Sequence, residues 1–179
     1  KTTEEKDLVV IVSAMGKMTN QLELLVDHYF TKPSHVGASI IQVYDFHYQI
    51  SSDLFKNTSH PIFNLLIKYK NELQFFLESN KSNDHSFVYD QVVSFGELLS
   101  TKIIHHFLRH QGLESFWLDA RNCIKTDDYY RSANLNWDVT QSNIQLQGGN
   151  ESLVVTQGFI GSNSNNFTTT LGREGSDYS

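Results

Sequence analysis

Residues 7–30, DLVVIVSAMGKMTNQLELLVDHYF, decide the fold. Asp7 to Ser13 is a continuous apolar run closed by the small-residue turn Ala14-Met15-Gly16, the pattern of a strand buried on both faces. From Lys17 to Phe30, Met18, Leu22, Leu25, Val26 and Tyr29 recur at helical spacing. Strand, tight turn and helix in immediate succession predict a mainly parallel α/β sheet. Thr19 and Asn20 then fall in the first helical turn, just beyond the strand's carboxyl end, where open α/β sheets gather their ligands.

The far end of the chain completes the pattern. Residues 154–178 read VVTQGFIGSNSNNFTTTLGREGSDY: an apolar strand at Val154-Val155, a turn-rich loop, a β-branched strand at Thr168 to Thr170, then a glycine loop from Gly172 to Gly175. Ser176 and Asp177 read as the first residues of a helix. Glycines at 172 and 175 let the backbone approach a ligand and adopt positive φ, while a helix start offers free amides that attract anions. Arg173 adds a planar fork able to grip a carboxylate or phosphate. Taken alone, GxxGSD also describes an ordinary strand-to-helix turn with a surface arginine.

Between these ends, Pro33 to Lys81 predicts a helical hairpin divided near Asn57 to Pro61, with Ile62, Leu66, Tyr69, Leu73, Phe76 and Leu77 on one stripe. Asn80 to His85 is a surface turn. One helix is expected from Ser86 to about Arg109, stopped at Gln111-Gly112. Glu97 lies near its buried face, so its carboxylate either turns to solvent, the expectation for an isolated glutamate, or meets a cation such as a ligand ammonium. His106 and His110 are four apart, but without a third ligand they read, with His105, as solvated helix-end residues. Ser115 to Asp119 predicts a short strand closed by Ala120-Arg121. Ser132 to Trp137 alternates like a strand, Asp138 to Gln147 predicts a short helix, and Gly148 to Asn150 ends it.

The totals narrow the class. A chain of 179 residues with 39% hydrophobic content and a mean hydropathy of -0.36 suits one globular domain without a membrane span. A formal charge of -6 without a basic run argues against a nucleic-acid partner. The single cysteine, Cys123, excludes an intrachain disulfide and reads as a buried, inert thiol. No signal peptide precedes the first strand and Lys1 is not an initiator methionine, so the chain reads as an excised piece and the expected location is cytoplasmic.

Four separated stretches together resemble aspartate kinase: Leu8 to Asn20 (LVVIVSAMGKMTN), Val93 to Lys102 (VSFGELLSTK), Phe116 to Arg121 (FWLDAR) and Val154 to Tyr178. The likeness covers nearly the whole chain, the hairpin of 33–81 being its least diagnostic part. It implies the amino acid kinase fold, a three-layer α/β/α arrangement of which this chain is the substrate-side portion with a helical insertion. It also implies transfer of the γ-phosphate of ATP, with Mg2+, to the β-carboxylate of L-aspartate, in a parent that is a homo-oligomer. Carried over residue by residue, Arg173 matches the arginine that pairs with the substrate α-carboxylate and Glu97 the acid that holds its α-ammonium. Thr19, Phe159 and Ser176 match other substrate-pocket positions, and Asp177 matches the aspartate that positions an active-site lysine. Ser13, Gly172 and Gly175 are the nucleotide-side candidates. The Lys-Phe-Gly-Gly motif carrying that lysine, the nucleotide-binding half and the ACT domains of the family are not among these 179 residues, so the piece alone is expected to be inactive. Two other readings remain: a non-catalytic ligand-binding or interaction module, and an amino acid kinase with a different acceptor.

Overall fold

The computed structural model describes residues 7–147 and 152–172. Three parallel strands form the main sheet: β1 (Leu8–Val12), β2 (Phe116–Leu118) and β3 (Leu153–Gln157), in the order β1-β3-β2. Val9 lies opposite Val154 and Ile11 opposite Thr156, while Phe116 also meets Val154 from the other side. Parallel neighbours so far apart in sequence require crossover connections, and the chain between β1 and β2 supplies five helices.

Helix α1 (Met18–Thr31) buries Met18, Leu22, Leu25 and Val26, the stripe its spacing predicts. A single 3-10 turn at Pro33–His35 leads into α2 (Val36–Phe55), and α3 (Pro61–Ser79) returns antiparallel to form the expected hairpin. Pro61 sits at the start of α3, where its missing N–H costs no helical bond. The stripe Ile62, Leu66, Leu73 and Leu77 is fully buried, with Tyr69 and Phe76 packed at its margin.

The single helix expected over Ser86 to Arg109 is two, α4 (His85–Val93) and α5 (Phe95–His110), meeting at Ser94. Asp84 caps α4 through the amides of Ser86 and Phe87. Gly112, at φ +84°, stops the chain after α5.

Two further expectations are corrected. Among the described residues β1 is an edge strand, not a strand buried on both faces: Val9 is 59% exposed and Ile11 42%, because only the opposite face of the sheet meets α5. Ser132 to Trp137 forms no strand; Leu135 makes one isolated bridge to Thr126, and Trp137 already opens α7 (Trp137–Gln147). Thr168 to Thr170 forms a strand as expected, β5, and pairs antiparallel with β4 (Ile160–Ser162) in a ribbon separate from the main sheet. Between β2 and α7 lies the one-turn helix α6 (Ala120–Cys123), whose Cys123 is buried, as expected. The turn at 148–150 lies outside the described residues.

Candidate active site

The carboxyl edge of the sheet gathers the predicted residues. Gly158 donates its backbone N–H to Val12 O at 3.3 Å, so the turn leaving β1 and the turn leaving β3 lie side by side. Ser13 is pinned there from below: its carbonyl accepts the Ser100 hydroxyl of α5 at 2.7 Å. Thr19 is half-buried in the first turn of α1, immediately after this bend.

Glu97 stands in the first turn of α5 and is only 3% exposed, so of the two readings of its carboxylate the solvent-facing one is excluded. Its Oε1 accepts the Ala14 amide at 3.3 Å. Its Oε2 is buried with no hydrogen-bond partner among the described residues. Burial pushes the carboxyl up to about 7, against the opposing pull of the Glu97 and Ala14 amides. The approach of α5 to the β1 turn depends on Gly96, where a Cβ would lie 2.8 Å from Ala14 Cβ and 3.2 Å from Leu22 Cδ1. A half-satisfied buried carboxylate at the carboxyl edge of a parallel sheet is an arrangement that an ammonium can complete.

Phe159 follows β3 at φ +70°, accepts the Leu171 amide on its carbonyl at 2.9 Å, and packs against both hydrophobic clusters. The hydrogen bond from Leu171 places Gly172, at φ +86°, next to the Phe159 turn. A Cβ on Gly172 would meet Ser132 Oγ at 3.3 Å and Arg131 O at 3.4 Å, so the glycine loop starts against the 131–132 bend. A cleft of ≈ 760 Å³ opens beside it, walled by Glu23, Tyr89, Tyr130, Arg131, Phe159 and Gly172 among others. Glu23 accepts the Tyr89 hydroxyl at 2.7 Å, and the Arg131 guanidinium stacks on the Tyr89 ring at 4.3 Å.

The structure thus brings Ser13, Glu97, Phe159 and Gly172 to one edge, with Thr19 in the adjoining turn of helix. Arg173, Gly175, Ser176 and Asp177 lie outside the described residues. His110 is exposed at the end of α5 as expected, whereas His105 and His106 differ from expectation. His106 is half-buried, with its ring 5.6 Å from that of His60, and His105 Nδ1 bonds Ser115 Oγ at 3.0 Å. Burial and neighbouring cationic groups hold His106 down at about 4, so it is a neutral packing residue and not a solvated one. Among the described residues no group of three or more His, Cys, Asp or Glu side chains suits a metal ion.

Asp90 is the residue that sequence reasoning missed. It is fully buried, and its carboxylate accepts the Arg131 amide on both oxygens at 3.1 Å, the Thr170 amide at 2.8 Å and the Thr170 hydroxyl at 2.8 Å. The available signal was its spacing: on the single helix expected over Ser86 to Arg109, Asp90 and Glu97 fall about two turns apart on one face.

A sequence profile of the amino acid kinase family matches residues 1–179. The aspartokinase of Chlamydia pneumoniae is 30% identical over 176 residues, covering 98% of this chain and 38% of its own length. Lysine-sensitive aspartokinase 3 of Escherichia coli K12 is 42% identical over 92 residues, or 50% of this chain and 20% of its own. The crystal structure of E. coli aspartokinase III in complex with lysine and aspartate superposes with a TM-score of 0.85 at 28% identity, over 95% of this chain and 38% of that one. The same enzyme in complex with aspartate and ADP gives 0.83 at 30% identity, again over 95% and 38%. The chain therefore spans well under half the length of these relatives. With the profile matched from end to end and the crossover sheet superposed on a member's own, the chain belongs to the amino acid kinase family.

Proposed function

We propose that the protein carrying this chain is an aspartate kinase and that these residues supply its amino acid pocket. The observation that carries the reading is Glu97 Oε2, a buried carboxylate oxygen with no partner among the described residues. An α-ammonium satisfies it, while Arg173 pairs with the α-carboxylate, so a zwitterion held at both ends presents its β-carboxylate outward. Thr19, Phe159 and Ser176 line the same pocket.

The β-carboxylate oxygen forms the new bond to the γ-phosphorus of ATP as the bond to the β,γ-bridging oxygen breaks. The products are 4-phospho-L-aspartate and ADP. A carboxylate is ionised at neutral pH, so no general base is assigned. Such a transfer asks the protein chiefly for positioning and charge stabilisation. Mg2+ is assigned to the nucleotide phosphates, which bind it without a dedicated protein cage. Ser13, Gly172 and Gly175 form the side of the pocket nearest the nucleotide, and Asp177 orients a lysine outside these 179 residues. The solved structures of E. coli aspartokinase III in complex with lysine and aspartate, and with aspartate and ADP, support aspartate and a nucleotide as the ligands.

The test is aspartate-dependent ADP release by the full-length parent and its Arg173→Ala variant. Removing the partner of a substrate carboxylate is expected to cost about 2–5 kcal/mol of aspartate binding. Undiminished kcat/KM for aspartate in the variant would exclude the assignment. A free zwitterion, and not an N-acylated amino acid, is the expected acceptor, because an acylated nitrogen carries no charge for Glu97 to pair; substitution of N-acetylaspartate for aspartate should abolish turnover.

A further inference from the structure

Two buried carboxylates, Asp90 of α4 and Glu97 of α5, differ in how far the protein satisfies them. Glu97 keeps one oxygen without a partner among the described residues, whereas Asp90 receives donors from two segments distant in sequence. Both of those segments border the predicted pocket. Arg131, held at φ +69°, forms with Ser132 the surface on which Gly172 rests. Thr170 ends β5, and the next residue, Leu171, donates its amide to Phe159 O. Ala133 N–H closes the triangle by donating to Thr170 O at 2.9 Å. Positive φ at a residue other than glycine persists only where surrounding contacts over-determine it. At Arg131 that contact is its own N–H, directed between the two oxygens of Asp90.

We infer that Asp90 is a positioning residue for the amino acid pocket: its carboxylate fixes the 131–132 bend and the end of β5 against each other, and thereby sets the Phe159–Gly172 turn that faces the substrate. All four bonds run from donor to carboxylate, so the acceptor-only group is the one that fits. An amide at this position turns an NH2 toward an N–H or O–H that needs an acceptor. This role rests on the aspartate kinase reading for its functional consequence, but not for its structural content.

The experiment compares wild type, Asp90→Asn and Thr170→Val in the longest natural chain carrying these residues. Two measurements are made: amide hydrogen exchange across 129–133 and 167–172, and calorimetric affinity for aspartate and, separately, for ATP. In Asp90→Asn, exchange of the Arg131 and Thr170 amides should quicken roughly tenfold or more while α2 and α3 keep their protection. Aspartate affinity should fall by a similar factor, roughly tenfold, with ATP affinity unchanged. Thr170→Val removes only the hydroxyl donor and should produce the same pattern at a reduced size. It decides the matter alone if Asp90→Asn does not fold. Unchanged exchange in the folded variants overturns the inference, as does equal loss of aspartate and ATP binding, which marks general destabilisation. If wild type binds no aspartate, the proposed function fails, and the exchange measurement alone still confirms or overturns the clamp.

Discussion

Glu97 carries a conflict between stability and binding within one side chain. Its carboxyl is raised from 4.5 to about 7, so between those values the folded state holds a proton that the unfolded chain has lost. Stability is therefore greatest below about 4.5 with respect to this group and declines as pH rises through about 7, by an amount on the order of 3 kcal/mol. Aspartate reverses the sense, since an ammonium requires the ionised form. Affinity for aspartate should accordingly weaken as pH falls from about 8 to about 6, as titration calorimetry at a series of pH values would reveal. Glu97→Gln should remove that dependence and most of the affinity, yet raise the melting temperature at pH 8, because no unpaired charge is then buried. A variant that binds aspartate normally would refute the ammonium assignment. His47 has the opposite effect on stability. It is fully buried, donates from Nδ1 to Val43 O at 2.7 Å, and is lowered by burial, so its contribution to stability is lost as pH falls below its unfolded value of 6.5. The two buried groups therefore pull stability in opposite directions as pH falls through 6.5.

At the scale of elements, the pocket depends on how closely α5 approaches the bend after β1. Gly96 sets that distance, and nothing in its helical conformation demands glycine; the contact with Ala14 does. Gly96→Ala gains helix propensity but drives a methyl group into Ala14 and Leu22, and overpacking of this kind costs about 1–3 kcal/mol. Chemical denaturation should show that loss. Displacement of Ala14 should also lengthen its bond to Glu97 and weaken aspartate binding. A second inter-element device is Gln157 at the end of β3, which accepts the Ala120 amide at 2.8 Å and donates to Thr101 Oγ1 at 2.8 Å. It ties sheet, α5 and α6 together with a single buried amide. Asp119 and Arg121 of the FWLDAR stretch are likewise structural. Asp119 caps α6 through the Arg121 amide and pairs with the Arg121 guanidinium at 2.6 Å.

Across the whole molecule, the helical layer owns the larger core, and the sheet packs against that layer through α5. On the other face Val9, Ile11, Val154 and Thr156 alternate outward beside Ile144 of α7, lining an apolar groove. The sheet edge presents the amino acid side of the proposed site. On the proposed reading the nucleotide-binding half is carried by other residues of the parent, so the 179-residue chain by itself is expected to release no ADP when given aspartate, ATP and Mg2+. Turnover by that chain in a coupled assay would contradict the assignment of the nucleotide site to other residues.

The local pattern determined much on its own. Apolar residues of α1 and α3 recur with the period that places them on one face, and that period depends only on backbone geometry; the strand–turn–helix of 7–30 follows in the same way. The sequence also located the pocket candidates, through stretches whose residue types resemble one family's. It did not determine burial at β1, because an apolar strand reads alike at a sheet edge and in its centre, and strand order is set by contacts across some 145 residues of chain. Nor did it separate Asp90 from any surface aspartate. Its partners, Arg131 and Thr170, are 41 and 80 positions away, and only tertiary folding removes the water that would otherwise satisfy all three. For Glu97 the same desolvation distinguishes a solvated glutamate from a ligand for an ammonium: the sequence supplied the carboxylate, and packing against Gly96 and Ala14 left half of it unsatisfied by the described residues.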